Sequence, residues 1–223
     1  MMDAVLVRSY APPPVDRREI IRYMGARELT EELTALLEEC LQEVEGCLRY
    51  AVCWRELPVS VTEDGVDLGF TTVASASLAR QLTGCGRAVL FGATVGLELD
   101  RLIARHSRLQ PVKALTFQAI GAERVEALCD AFCADIRRQV QEQGCCTKMR
   151  FSPGYGDVPL TLQRDIFRVL DCARQIGLTL NGSLLMTPSK SVTAIVGIGG
   201  GQQQPDKEKC SACSKGDCTF RNL

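Results

Sequence analysis

The sequence predicts an α+β fold in which helices flank a mixed, mainly antiparallel sheet. Helical and strand patterns alternate along the 223 residues without a regular strand–helix–strand rhythm, which disfavours a doubly wound parallel sheet. Residues 87–95 (RAVLFGATV) form a nearly continuous apolar run, which is typical of a central strand covered on both faces. A hydrophobic content of 46% with a net charge of −1 is that of a globular chain rather than a disordered one.

The elements before the central strand are predicted from periodicity, caps and turns. In order they are a strand (3–10), a helix (17–24), a helix (29–48), a strand (50–61), a hairpin strand (66–70) and a short helix (75–83). Asp16 is placed to begin the first helix and Gly25 to end it. Thr30 and the two glutamates after it are predicted to lie at the start of the second helix, where the positive end of the helix dipole stabilises acidic side chains.

The second half is predicted to be mostly helical and to end in strands. The elements are a helix (97–106), a long helix (112–143), an irregular segment (149–157), a helix (160–176) and two strands (178–186 and 191–198). We expect the long helix to kink near Gly121 and to close at Gly144. Residues 1–198 then form the α+β domain, 199–209 a flexible Gly/Gln linker, and 210–223 a cysteine-containing tail.

Charge and hydropathy argue against several function classes. The 26 basic and 27 acidic residues give no general attraction to nucleic acid or to an anionic membrane. The longest apolar stretches are far below the roughly 20 residues of a membrane-spanning helix, and the first residues lack the pattern of a signal peptide. We therefore expect a cytoplasmic protein that engages neither nucleic acid nor membrane. Its 12 cysteines would then be reduced.

The cysteines of the tail have the spacing of metal or redox ligands. Cys210 and Cys213 form a CxxC pair, and Cys218 follows five residues later. Three thiolates hold zinc or an iron–sulfur cluster when a fourth ligand arrives, whereas CxxC alone also suits a redox dithiol. Cys145 and Cys146 are candidate donors of that fourth ligand, although adjacent cysteines are as often part of the core.

A second candidate site is the segment from Arg150 to Asp157. A guanidinium binds a carboxylate well, and the ring of Tyr155 can lie against a base or a sulfonium. The alternative is a structural loop in which Asp157 caps the next helix. Glu126, on the long helix, would complete a ligand-binding pair with the loop arginine, unless it is simply a solvated helical charge.

Two other features do not predict chemistry. The glycines of residues 197–201 run into Gln-Gln-Gln-Pro instead of a helix, so no phosphate-binding loop is expected. His106 is the only histidine, which excludes a multi-histidine metal site. It lies in a basic stretch with no nucleophile motif nearby, so a surface position is expected.

Residues 150–198 resemble the activation domain of cobalamin-dependent methionine synthase, and the short stand-alone proteins related to it still more. The resemblance is carried by Arg150-Phe-Ser-Pro-Gly-Tyr155-Gly-Asp-Val-Pro-Leu, by Gln163, by Gly177-Leu-Thr-Leu-Asn and by Met186-Thr-Pro-Ser-Lys-Ser-Val-Thr-Ala. Upstream, residues 90–100 and the cysteine tail are similar to the stand-alone group. The chain departs from the family at Gly25, where an aspartate is expected, and it lacks the tyrosine pair that follows the last strand.

The resemblance implies a site for S-adenosylmethionine. The family's ligand-contacting positions fall on Arg150, Ser152 and Tyr155, and a helix glutamate of the family falls on Glu126. The implied activity is the reductive remethylation of cob(II)alamin, with S-adenosylmethionine as the methyl donor, and it needs no catalytic base.

The implied partners are a cobalamin-binding methionine synthase or related corrinoid protein and an electron donor protein. The chain has no Asp-x-His-x-x-Gly cobalamin motif, so the corrinoid would be held on the partner. Two alternatives remain open: a non-catalytic adaptor of a corrinoid protein, and a redox partner that uses an iron–sulfur centre or dithiol in the tail.

Overall fold

A computed structural model describes residues 4–26 and 30–200 and confirms the α+β class. The strands are β1 (Leu6–Ser9), β2 (Ala51–Pro58), β3 (Ser60–Thr62), β4 (Gly65–Asp67), β5 (Thr72–Val73), β6 (Cys85–Thr94), β7 (Cys146–Thr147), β8 (Thr179–Leu180), β9 (Met186–Thr187) and β10 (Ser191–Gly199). The helices are α1 (Arg17–Met24), α2 (Glu31–Val44), α3 (Ala76–Leu82), α4 (Glu98–His106), α5 (Pro111–Gln141), α6 (Leu162–Leu170) and α7 (Cys172–Ile176).

One five-stranded sheet organises the described chain, in the order β1-β2-β6-β10-β7 with every neighbouring pair antiparallel. The predicted central strand is confirmed, because β6 lies between β2 and β10 and is buried from Ala88 to Thr94. Two smaller sheets, β3-β4-β5 and β8-β9, lie outside it.

Helices cover both faces of this sheet, so the described part of the chain has two hydrophobic cores. Val89 and Phe91 point to the face packed by α1, α2, α4 and α5, whereas Leu90 points to the opposite face, packed by α3, α6 and α7. This alternation explains the apolar run in β6: both faces of the strand are buried, so neither set of side chains needs to be polar.

The local signals at helix ends are confirmed. The Asp16 carboxylate accepts hydrogen bonds from the backbone N–H groups of Arg18 and Glu19 at the start of α1. Gly25 ends α1 in the left-handed conformation, which glycine adopts without steric cost. The Thr30 hydroxyl caps α2, which ends at Val44 and is therefore shorter than the 29–48 range predicted.

Helix α5 runs uninterrupted through Gly121, so the glycine does not divide the helix. Its role is close packing. A Cβ at this position would lie 2.1 Å from Leu99 Cδ2 and 2.7 Å from Lys190 Cγ, well inside contact distance. The missing side chain lets α4 and the start of β10 approach α5.

Two predictions for the C-terminal part are wrong. Residues 160–176 form two helices, α6 and α7, because Asp171 adopts the left-handed conformation (φ 47°) and its N–H bonds the Phe167 carbonyl. Aspartate tolerates that conformation better than most residues do. The strand predicted over 178–186 is instead the β8–β9 hairpin. Strand β7 has no counterpart among the predicted elements.

Within residues 4–26 and 30–200, no helix combines the length and the apolarity needed to cross a membrane. Residues 201–209 of the predicted linker and the whole cysteine tail lie outside the described part. The metal or redox site at Cys210, Cys213 and Cys218 is therefore still a prediction.

Candidate ligand-binding site

A cavity of about 990 Å³ lies where the Arg150–Asp157 loop meets α3, α5, α6 and β10. Its volume is at the upper end of the range typical of small-molecule sites. The lining is mixed, with charged, amide, hydroxyl and apolar side chains. These residues are Ser77, Arg80, Gln81, Glu126, Met149, Arg150, Phe151, Ser152, Pro153, Tyr155, Gly156, Gln163, Met186, Ser191, Val192 and Thr193.

Backbone hydrogen bonds hold the start of the loop against the sheet. Phe151 and Ile195 exchange two bonds, with N···O distances of 2.9 Å and 2.8 Å. On the other side, the Gln81 amide of α3 donates to the Met149 carbonyl at 2.7 Å. Arg150 thus lies between two residues, Met149 and Phe151, whose backbone groups are already hydrogen-bonded to α3 and to the sheet. Ser152 follows directly after them.

Asp157 fixes the far end of the loop, and it caps a different helix from the one predicted. Instead of capping α6, its carboxylate accepts hydrogen bonds from the Ser75 hydroxyl and from the N–H groups of Ala76 (2.8 Å) and Ser77 (3.1 Å) at the start of α3. The Ser75 hydrogen bond and these backbone donors hold the pKa of Asp157 well below its usual range. The loop is therefore fastened to α3 by a charged group.

Replacing Asp157 by asparagine should lower the urea midpoint of unfolding at neutral pH. Because the folded-state pKa is depressed, this stabilisation is complete above the unfolded pKa of about 3.9 and is lost as the pH falls further. The gap between wild type and variant should therefore close in acid. Asp64→Asn, in the β3–β4 turn, is the control. A gap that stays constant with pH would argue against the charged cap.

Arg150 is the most buried of the three charged side chains that line the cavity. Its guanidinium donates to the Glu126 and Asp130 carboxylates, both on α5, so the predicted proximity of Glu126 to the loop arginine is confirmed. The arginine side chain is only 10% exposed, whereas those of Glu126 and Asp130 are 41% and 68% exposed. Burial alone would lower the pKa of Arg150. The nearby Cys129 sulfur and the two carboxylates reverse this, and the net pKa lies above its ordinary value.

Ser152 and Tyr155, the other predicted ligand contacts, also line the cavity. Ser152 is half-buried beside the arginine, whereas the ring of Tyr155 is largely exposed. The four predicted residues thus meet at one cavity. The Arg150–Glu126 ion pair lies on the α5 side of this cavity, and the Tyr155 ring lies at its solvent side. Their role in binding a ligand stays a prediction.

A comparison with solved structures finds the same architecture. The protein in the structure "Crystal Structure of the MetH Reactivation Domain bound to AdoHcy" superposes with a TM-score of 0.62 at 14% sequence identity, covering 87% of this chain and 78% of that chain. The two chains share a fold. No protein-family model and no curated protein sequence matches this chain.

Two further buried polar residues, Gln163 and Thr193, line the cavity and are not among the predicted site residues. Gln163 is 6% exposed and Thr193 2%. Within the described ranges, neither Gln163 Oε1 nor Thr193 Oγ1 has a hydrogen-bond partner. Gln163 appears in the motif that carries the family resemblance, but no sequence signal marks it as buried. Thr193 lies in the 186–194 segment that also carries the resemblance, and there too nothing in the sequence marks a buried, unpaired hydroxyl.

Gly25, where the sequence resemblance places an aspartate, ends α1. Tyr23, two residues earlier, is half-buried. Burial raises its pKa first, and the Glu126 charge raises it further. The end of α1 is therefore electrostatically coupled to the cavity wall, although Gly25 itself offers only backbone.

The other sequence candidates have structural roles. A Cβ at Gly199 would lie 2.2 Å from the Gly84 carbonyl oxygen, so this glycine permits close strand packing. His106, the last residue of α4, pairs through Nδ1 with the Gln110 side chain just before α5, and it is not part of the cavity lining. In the part of the chain that the structure describes, no three metal-ligating side chains come together.

Proposed function

We propose that this protein binds S-adenosylmethionine in the cavity beside Arg150 and presents it as the methyl donor for reactivation of a corrinoid protein. The observation that carries the proposal is the Arg150–Glu126 pair in the cavity wall. It stands in a fold shared with a reactivation domain whose structure was solved with AdoHcy bound. The family resemblance of the Arg150–Tyr155 motif supports the same ligand.

The chemistry of the wall fits such a ligand. The charged groups of the lining are the guanidiniums of Arg80 and Arg150 and the carboxylate of Glu126, and Asp130 contacts Arg150 from outside the lining. S-adenosylmethionine carries a carboxylate, which suits a guanidinium, and an ammonium, which suits the Glu126 carboxylate. The apolar side chains of Phe151, Met186 and Val192 offer surface for the uncharged part of the molecule.

The ion pair itself suggests how the methionyl group is held. That group carries an ammonium and a carboxylate on the same carbon. Each can replace one member of the Arg150–Glu126 ion pair as the partner of the other member. The ligand carboxylate then faces the Arg150 fork, and its ammonium faces the partly exposed Glu126 carboxylate. Asp130, which lies outside the cavity lining, continues to hold the arginine in place.

The corrinoid is proposed to come from a partner, a cobalamin-binding methionine synthase or related protein. S-adenosylmethionine supplies the methyl group, and a separate electron donor protein supplies the electron that cob(II)alamin needs before it can accept that group. This chain's contribution is positional: Arg150, Glu126 and Ser152 orient the donor, and the exposed Tyr155 ring lies where a partner would approach.

The two carboxylates provide a matched test by calorimetric titration with S-adenosylmethionine. Glu126→Gln removes the charge that is proposed to meet the ammonium and should weaken binding by about tenfold or more. Asp130→Asn removes an equal charge from the same arginine but not from the cavity lining, and should have a clearly smaller effect. Absence of heat with the wild type, or equal losses in both variants, would contradict the proposed site.

A further inference from the structure

We propose that Gln163 and Thr193 form the nucleoside-recognition end of this cavity, in which the Gln163 amide binds the amino group of a purine base. The inference rests on the proposed function and adds to it the two residues that select the ligand's uncharged end.

The first argument is that both side chains are buried with polar atoms left unpaired. Gln163 Oε1 and Thr193 Oγ1 have no hydrogen-bond partner in the described part of the chain, and both residues line the cavity. An unpaired buried polar atom destabilises the folded protein, so it calls for a specific explanation. A ligand that supplies the missing hydrogen bonds is one such explanation.

A neighbour on the same strand shows that the local structure can satisfy a hydroxyl. Ser191 lies two residues before Thr193 and therefore on the same face of β10. Its hydroxyl pairs with Thr94 Oγ1 and the Pro188 carbonyl, each at 2.8 Å. Thr193 forms part of the same cavity wall, and its hydroxyl finds no such partner among the described residues.

The second argument is that the ion pair lies apart from the two unpaired atoms. The Arg150–Glu126 pair lies where the loop contacts α5, whereas Gln163 belongs to α6 and Thr193 to β10. The remaining charge of the lining, Arg80, is on the exposed side of α3. A methionyl group takes the ionic end. The uncharged amide and hydroxyl then match a neutral group with hydrogen-bond donors. A side-chain amide pairs well with the amino edge of adenine.

The test measures adenosine binding and thermal stability for Thr193→Val and Gln163→Leu, two near-isosteric changes that remove the unpaired atoms. Each variant should bind adenosine about tenfold more weakly, yet melt at a higher temperature without ligand. Thr116→Val is the control, because its buried hydroxyl on α5 already bonds the Val112 carbonyl. It should leave adenosine affinity unchanged and should not raise the melting temperature.

Purine riboside, which lacks only the amino group of adenosine, identifies the group that is bound. Wild type should prefer adenosine, and Gln163→Leu should lose that preference. Equal weakening of both nucleosides in Gln163→Leu would overturn the assignment of the base. If buried waters satisfy the two atoms instead, both variants should keep full adenosine affinity and melt at a lower temperature, which also overturns it.

The same titrations separate this inference from the proposed function. If S-adenosylmethionine fails to bind but adenosine binds in a manner that depends on Gln163 and Thr193, the nucleoside end stands and the methyl-donor role falls. If S-adenosylmethionine binds wild type and both variants equally, the role stands and the nucleoside end falls. No adenosine binding to wild type would overturn the inference.

Discussion

Arg150→Ala is expected to reduce the affinity for S-adenosylmethionine by about 100-fold or more, since it removes a buried, charge-assisted contact. It also leaves the Glu126 and Asp130 carboxylates without the cation that both contact, and excess negative charge then repels the ligand carboxylate. Titration calorimetry measures the loss. Methylcobalamin formation on a corrinoid partner, supplied with a chemical reductant, should fall with it.

Two companion variants separate this result from general damage. Arg138→Ala removes an exposed arginine of α5 that pairs with Asp135, and should leave binding unchanged. Arg150→Lys keeps the charge but not the planar fork, so it should recover only a small part of the affinity. Full affinity in Arg150→Ala, with the fold intact, would show that the ligand is held elsewhere.

Phe132→Ala is expected to be the most destabilising of the changes considered, at about 3–5 kcal/mol. Phe132 is fully buried on α5, and its ring packs at tilted angles against Phe91 (4.8 Å between centroids) and Trp54 (5.3 Å). Truncation would leave a cavity between the longest helix and the central sheet. Such a loss is a large share of the roughly 5–15 kcal/mol that stabilises an ordinary domain.

Urea unfolding followed by circular dichroism measures this change. Leu109→Ala, two residues before the same helix and 90% exposed, provides the control and should alter the free energy of unfolding by only a few tenths of a kcal/mol, as is usual for surface positions. Similar losses in both variants would mean that the α5–sheet contact does not dominate the stability of the fold.

The parts of the fold that the sequence predicts correctly are those set by local chemistry. The Asp16 and Gly25 caps depend only on neighbouring backbone, and the apolar run of β6 requires only that both faces be covered. The errors arise where distant residues decide the outcome. Asp171 breaks a pattern that is helical in sequence, and Asp157 reaches α3 across 80 or more positions rather than capping its own helix.

The candidate site divides in the same way. Arg150 and Glu126 are recognisable because their charges and motif are visible in the sequence, and the structure brings them into contact. The contribution of Asp130 follows from its position one helical turn after Glu126, which places both carboxylates on one face of α5. Gln163 and Thr193 could not be identified beforehand, because their distinguishing property is burial without a partner, and only the assembled tertiary structure determines that.

A crystal structure of the protein grown with S-adenosylmethionine tests the central claim most directly. The account predicts density in the cavity with the methionyl carboxylate on the Arg150 guanidinium and the ammonium on Glu126. A cavity that stays free of ligand at saturating concentration, or a ligand bound at another surface with the Arg150–Glu126 pair intact, would contradict it.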